Sequence, residues 1–166
     1  MFSALNLFNN GNNPARFAKP RRIVSNFKII VMKKDIPELK VEDLAIVIAP
    51  RAEGAEHEEL WETYLFNLKE EAIQNVMVSS WGYGELNGRE KKTTTLRHFF
   101  ERVDPLSLVP IEPILKEAFA LTNEYWVSFS FEGQLYDKRY IFVQGSMEPS
   151  NFMLIPFLNR KGVMIR

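Results

Sequence analysis

Residues 80–100, SWGYGELNGREKKTTTLRHFF, contain three glycines, two lysines and three consecutive threonines. Glycine loops that bind phosphate point backbone N–H groups at the anion from the start of a helix, so a helix must follow the last glycine directly. Here Gly88 is followed by charged residues and then by β-branched and aromatic residues, which favour a strand. Asn87-Gly88 is a strong signal for a tight turn, because both residues tolerate a positive φ. The stretch therefore predicts a β-hairpin rather than a phosphate site.

Strand patterns continue on both sides of this hairpin. Side chains that alternate along a strand lie on opposite faces of the sheet, and several segments alternate apolar residues in this way. Seven strands are predicted, at 44–49, 60–68, 75–81, 93–100, 107–111, 125–131 and 135–143. Only 113–121 has a helical pattern, and it predicts one short helix. The spacing of these strands is typical of an all-β, antiparallel sandwich of the immunoglobulin-like or fibronectin-like kind.

The composition is that of an ordinary globular chain of 166 residues, with 46% hydrophobic and 25% charged residues. A domain of this size buries roughly 70% of the surface that its unfolded form exposes, so it needs no disulfide or metal to fold. There is no cysteine, which excludes disulfides, thiolate catalysis and cysteine-bound metal, and favours a reducing compartment, the cytoplasm. No apolar run approaches the ~18 residues of a membrane-spanning helix. We expect no cofactor and no membrane partner.

The charges are unevenly distributed along the chain. Residues 1–31 contain five of the 21 Lys and Arg residues and no acidic residue, which leaves 16 basic against 21 acidic residues in 32–166, a net charge of −5. We interpret 1–31 as a basic, poorly ordered leader. It resembles a transit peptide or a basic nucleic-acid arm, or it precedes a bacterial translation start at Met32. Residues 32–166 are predicted to form a single domain.

The segment 151–166 is strongly apolar although Pro156 interrupts it. A free tail of this composition would expose a large hydrophobic patch. We therefore expect the tail to lie along the sandwich and cover it. The alternative is that it docks on a protein partner or on a second copy of the chain, and Phe152 and Phe157 are its candidate contact residues.

The hairpin carries the other candidate interaction residues. Trp81 and Tyr83 are close in sequence to Arg89, Lys91 and Lys92. Aromatic residues interleaved with basic ones bind single-stranded nucleic acid, because the rings stack on bases and the cations neutralise phosphates. The net acidic domain, and two glutamates within the same hairpin, favour instead a solvated hairpin that contacts a protein. A translation-associated RNA-binding protein is the alternative function.

Catalytic and metal-binding patterns are weak in this sequence. The two histidines, His57 and His98, are 41 positions apart and so form no close pair of metal ligands. His98 lies in a predicted strand and is the only candidate catalytic imidazole, and no G-x-S-x-G motif surrounds any serine. We expect no catalytic, cofactor or metal residue. The predicted function is a non-catalytic protein-interaction or accessory module, with a small hydrolase as the third alternative.

Residues 32–166 resemble a family of small uncharacterised bacterial proteins. The resembling segments are MKKDI at 32–36, Gly-Tyr-Gly at 82–84, TLRHFF at 95–100, NEYWVSF at 123–129, LYDKRYIF at 135–142 and IPFLNRKGVMI at 155–165. Some members are labelled phenylalanyl-tRNA synthetase alpha subunit, but this chain is too short for that catalytic core and lacks its helices and arginine motifs. The resemblance implies no catalytic residue. It supports a start at Met32, because the leader lies outside it.

Overall fold

The computed structural model describes residues 40–51 and 60–166. The basic leader, the proposed start at Met32 and His57 lie outside the described residues. Within them the chain forms ten β-strands and two short 3₁₀ helices. The strands are β1 (Leu44–Pro50), β2 (Leu60–Asn67), β3 (Ile73–Leu86), β4 (Arg89–Lys92), β5 (Leu96–Val103), β6 (Ser107–Leu115), β7 (Thr122–Phe131), β8 (Gln134–Phe142), β9 (Met153–Ile155) and β10 (Arg160–Ile165). The 3₁₀ helices are Lys116–Ala120 and Pro149–Asn151.

The strands form two antiparallel sheets. Sheet A has the strand order β6-β2-β1-β10-β9. Sheet B has the order β4-β3-β7-β8, and β5 also pairs with β3. The predicted all-β class and antiparallel sandwich are confirmed, although the described residues contain ten strands rather than about seven. The assignment to the immunoglobulin-like or fibronectin-like kind stays a prediction.

The main core lies between the two sheets. Val76 and Val78 of β3 face it, as their two-residue spacing predicts, and so do alternate residues of β7. Sheet A contributes apolar residues of β1, β2 and β6 to the same cluster. Its fully buried members from both sheets include Leu44, Ile46, Ile48, Leu65, Ile73, Val76, Val78, Val127 and Tyr140.

Strand β1 is buried on both of its faces. Its even-numbered residues face the core between the sheets, whereas its odd-numbered residues form a second cluster with Phe66 and Ile155 on the other side of sheet A. Residues 44–49 have no exposed surface. This explains why the sequence there is a continuous apolar run and does not alternate.

The apolar tail is part of sheet A. Strand β10 pairs with β1, with Val47 opposite Met164, and β9 pairs with β10. A Cβ atom on Gly162 would lie 2.5 Å from the backbone oxygen of Ile48, so β10 approaches β1 too closely for any side chain at that position. The tail therefore packs within its own chain, as strands rather than as an irregular cover.

The predicted helix at 113–121 is much shorter in the structure. Strand β6 extends to Leu115, and only Lys116–Ala120 is helical, as a 3₁₀ turn. The last residues of β6 pair with β2, with Glu62 opposite Pro113. Because β6 is an edge strand, its prolines do not interrupt a ladder on the outer side. Strand pairing thus overrides the local helical pattern.

Candidate interaction surface

The stretch at 80–100 forms the predicted hairpin. Asn87 and Gly88 form the turn between β3 and β4, with φ angles of 55° and 72°. Leu86 lies opposite Arg89, and the two strands are antiparallel. The segment that follows Gly88 is a strand and not a helix, so this loop offers no helix N-terminus to an anion. The prediction of a hairpin is confirmed.

The register divides the predicted surface residues between two faces of the hairpin. Paired residues on adjacent strands share a face, and here Tyr83 pairs with Lys92, whereas Gly84 pairs with Lys91. Trp81, two residues before Tyr83, lies on the same face as Tyr83 and Lys92. Lys91, and Arg89 two residues before it, lie on the opposite face. The structure therefore does not bring all the aromatic and basic candidates together.

The two tail candidates lie elsewhere. Phe152 packs against Trp61 at the margin of the main core, with 5.6 Å between ring centroids. Phe157 is 74% exposed and contacts Phe66 on the outer side of sheet A, also at 5.6 Å. Neither residue shares a surface with Trp81, because Trp81 lies on sheet B and faces away from the core.

An exposed apolar patch on the outer face of sheet B was missed in the sequence. It consists of Met77, Phe99, Trp126 and Leu135, and Phe99 and Trp126 are 62% and 47% exposed. Met77 on β3 lies directly opposite Phe99 on β5, and Ser79 lies opposite Trp126 on β7. The signal was present in the alternation: Val76, Val78 and Val127 face the core, and residues one position away on a strand point to the other side.

A hollow of 430 Å³ lies within this apolar patch. Two small residues on adjacent strands, Ser79 and Ser128, lie among larger ones and leave room between them. The indole N–H of Trp126 donates a hydrogen bond to Asp137 Oδ2 at 3.3 Å, which orients one wall of the hollow. A recess bounded by aromatic and aliphatic side chains can receive an apolar side chain of a binding partner.

Glu124 is a buried carboxylate on the same outer face. Its side chain is only 6% exposed, and within the described residues its Oε1 atom has no hydrogen-bond partner. Arg139 forms an ion pair with it at 3.6 Å, but the Arg139 side chain is 63% exposed. Trp81 lies directly opposite Glu124 on β3. Desolvation and then the charge of Glu124 raise the pKa of nearby Tyr83.

The candidate imidazole His98 belongs to a hydrogen-bonded group between the sheets. Ser80 Oγ donates to Glu112 Oε1 at 2.6 Å, and His98 Nε2 is 2.7 Å from Glu112 Oε2. In serine hydrolases the imidazole lies between the serine and the acid and takes the serine proton. Here the carboxylate lies between them, so His98 is bonded to the acid and not to Ser80. The group ties β6 of sheet A to β3 and β5 of sheet B.

Two further observations bear on the kind of site. In 40–51 and 60–166, no group of three or more histidine or acidic residues could hold a metal ion. No helix in the same part of the chain is long and apolar enough to cross a membrane. Comparison of the chain with protein-family models, with curated proteins and with solved structures finds no match.

Proposed function

We propose that this protein is a non-catalytic, cytoplasmic interaction module that binds a partner protein through the outer face of sheet B. The observation that supports this most directly is the apolar patch, where Met77, Phe99 and Trp126 are exposed on three adjacent strands. The largest exposed apolar patch of a soluble domain is often a binding site. Aromatic residues and methionine are also enriched at the centres of protein interfaces. The partner supplies an apolar side chain to the hollow beside Trp126.

The charges on this face favour a protein over RNA. Glu85 and Glu90 lie opposite each other on the hairpin, and Glu124 lies directly beside Trp81. Phosphates need cations close to the stacking rings. Three basic residues share this face with four acidic ones, so it has no excess of cations: Lys92, Arg97 and Arg139 against Glu85, Glu90, Glu124 and Asp137. Protein binding is therefore the leading function, and the experiment must distinguish it from RNA binding.

The test uses the full chain and a double variant, Phe99→Thr with Trp126→Thr, as bait in a lysate of its own organism, with nuclease and without it. Threonine keeps the preference for a strand, and both side chains are exposed, so the variant is expected to fold. Leu154→Thr, at an exposed position of β9 in sheet A, is the matched control. A protein retained by the parent and by the control is purified and its affinity measured. We expect the double variant to bind it at least about tenfold more weakly.

Three outcomes would contradict this proposal. If the double variant and the parent bind the partner protein with equal affinity, the apolar patch is not part of the interface. Retention that disappears on nuclease treatment would assign the surface to RNA. A concentration-dependent dimer that the double variant abolishes would make a second copy of the chain the partner.

A further inference from the structure

Strand β8 is a long, open edge of sheet B. Among the described residues the strand order of this sheet ends at β8, whose nine residues pair with β7 without a bulge and include no proline. Two edges of sheet A are blunted, because β6 contains prolines and β9 has only three residues. An open edge presents a row of backbone N–H and C=O groups that another strand can pair with.

The turn before β8 determines which backbone groups point to this edge. Glu132 and Gly133, with φ angles of 48° and 73°, form a two-residue turn, so Phe131 and Gln134 close the hairpin with backbone hydrogen bonds. Hydrogen-bonded and non-hydrogen-bonded pairs alternate along an antiparallel ladder. The even-numbered residues of β8 therefore bond to β7. Its odd-numbered residues direct their N–H and C=O groups to the open edge.

The sequence of β8 is self-complementary about its central residue, Lys138. If two copies pair antiparallel around a two-fold axis at Lys138, Asp137 of each copy lies opposite Arg139 of the other. Leu135 then lies opposite Ile141, and these side chains are 77% and 41% exposed in the single chain. Opposite charges and apolar side chains that face each other stabilise a strand pair. All nine residues of the strand take part in this register.

The backbone and the side chains select the same register. Only odd-numbered residues have groups that point to the open edge, so they must lie opposite odd-numbered residues of the second copy. This restricts the axis to a position at one residue. An axis at Asp137 or at Arg139 would place that charge directly opposite itself, which is unfavourable. An axis at Lys138 gives two ion pairs instead.

Both charged residues can form the second contact. Asp137 Oδ2 accepts the Trp126 indole N–H, and within the described residues its other oxygen has no hydrogen bond. Arg139 forms an ion pair with Glu124 at 3.6 Å, but its side chain is 63% exposed and its guanidinium has further N–H donors.

Lys138 lies at the axis, on the core side of the sheet. An inward-pointing charge on an edge strand disfavours pairing with another chain. Here its ammonium group is held on its own chain, 2.6 Å from the backbone oxygen of Val41 and 5.4 Å from the centroid of the Tyr140 ring. The two ammonium groups of a dimer are thus directed into separate sandwiches. Their remaining repulsion makes the dimer reversible.

We propose that β8 is a self-association site, where a second copy of the chain pairs antiparallel around a two-fold axis at Lys138. The two B sheets then form one continuous sheet. Backbone hydrogen bonds supply the affinity, and the two Asp137–Arg139 ion pairs set the register. This contact goes beyond the proposed function, because it uses the edge of sheet B and leaves the apolar patch on the outer face to a different protein.

The experiment measures the mass of the full chain by sedimentation equilibrium over a range of concentrations. We expect the parent to dimerise reversibly. Asp137→Arg or Arg139→Asp alone should weaken the dimer at least about tenfold, because each replaces two ion pairs by two like-charge pairs. Glu101→Arg, at an exposed glutamate of β5, is the control and should dimerise like the parent.

Mixing the two variants tests the register directly. In a heterodimer of Asp137→Arg with Arg139→Asp, both pairs again join opposite charges, so the equimolar mixture should recover the dimer. If Arg139→Asp fails to fold because it lies close to Glu124, Leu135→Glu and Ile141→Lys take the place of the two variants, since they face each other in the same register. A parent that stays monomeric, an unchanged dimer in Asp137→Arg, or a mixture without recovery would overturn the inference.

The two proposals can fail separately. The double variant of the apolar patch changes no residue of β8, so we expect it to dimerise but to lose its partner protein. If the parent is monomeric while the double variant loses its partner, the self-association site is wrong and the interaction surface stands. If the double variant keeps its partner, the proposed function is wrong whatever the sedimentation shows.

Discussion

Tyr140 on β8 donates a hydrogen bond to the backbone oxygen of Leu44 on β1, 3.0 Å away, and so joins the two sheets through the core. Tyr125 makes a second link of this kind, sharing a 3.2 Å hydrogen bond with Thr63. Burial raises the pKa of both hydroxyls above their ordinary value of 10.0, because the phenolate would be buried in apolar surroundings.

These two tyrosines predict a loss of stability at alkaline pH. Their contribution is complete below the unfolded-state value of about pH 10 and is lost as the pH rises towards the folded-state values, because only the unfolded chain releases these protons. In that range each tyrosine lowers the free energy of unfolding by about 1.4 kcal/mol per pH unit. Urea unfolding at a series of pH values measures the slope, and Tyr140→Phe should reduce it by that amount. An identical slope in the variant would contradict the prediction.

A side chain at position 162 is expected to lower the stability of the protein, because it would clash with β1. A Cβ atom there would meet the Ile48 oxygen at 2.5 Å and the Ala49 Cβ at 2.9 Å, so Gly162→Ala must push β10 away from β1. We expect a loss of about 3 kcal/mol in the free energy of unfolding. Gly133→Ala is the control, because Gly133 has a positive φ but open space around it. The control should lose only about 1 kcal/mol in denaturant titration, and equal losses would contradict the steric explanation.

Replacing the side-chain amide of Asn67 by a carboxyl group is expected to lower the stability of the protein. Its buried amide nitrogen donates to the backbone oxygens of Glu71 and Asp104, each at 2.9 Å, and so holds two loops together. Asn67→Asp places a carboxylate oxygen against those carbonyls, and we expect a loss of about 3 kcal/mol in stability at neutral pH. The loss should shrink in acid, where the carboxyl regains a donor.

Asn75→Asp provides the comparison for this prediction. Asn75 is exposed, and its amide donates a hydrogen bond to the hydroxyl of Ser130. We expect a change within about 0.5 kcal/mol. Thermal unfolding of both variants at neutral and acidic pH checks the pair, and a similar loss in both would show that Asn67 does not hold the loops.

Glu112, whose side chain is 10% exposed, and the buried Glu124 are expected to have opposite effects on stability. Glu112 is bonded by Ser80 and His98, whereas Glu124 Oε1 lacks a hydrogen bond in the described part of the chain. Glu112→Ala should therefore lower the free energy of unfolding by about 3 kcal/mol. Glu124→Gln should leave it unchanged or raise it by about 1 kcal/mol, since a buried charge is removed whose ion-pair partner, Arg139, is 63% exposed. Denaturant midpoints measure both, and a large loss in Glu124→Gln would show that its carboxylate supports the fold.

Local patterns predicted seven of the ten described strands and missed β4, β9 and β10. Alternation is informative in sheet B because its strands have one side towards the core. The same alternation that placed Val127 inside implies that Trp126 lies outside. The contacts between distant strands could not be predicted in this way. Glu112, Ser80 and His98 lie on three strands of two sheets, and no spacing in the sequence encodes their meeting. Likewise, the helical pattern at 113–121 gave no indication that β2 would pair with Pro113.

The pairing of β1 with β10 has a consequence for synthesis on the ribosome. Of the described strands, β1 emerges first and β10 last, so the apolar edge of β1 has no neighbour on that side throughout translation of the intervening residues. An open strand edge is a template for pairing with another chain. Nascent chains that stall before Arg160 should consequently aggregate. When β10 leaves the ribosome it pairs with β1, and the edge of β1 can then no longer pair with other nascent chains on the same polysome.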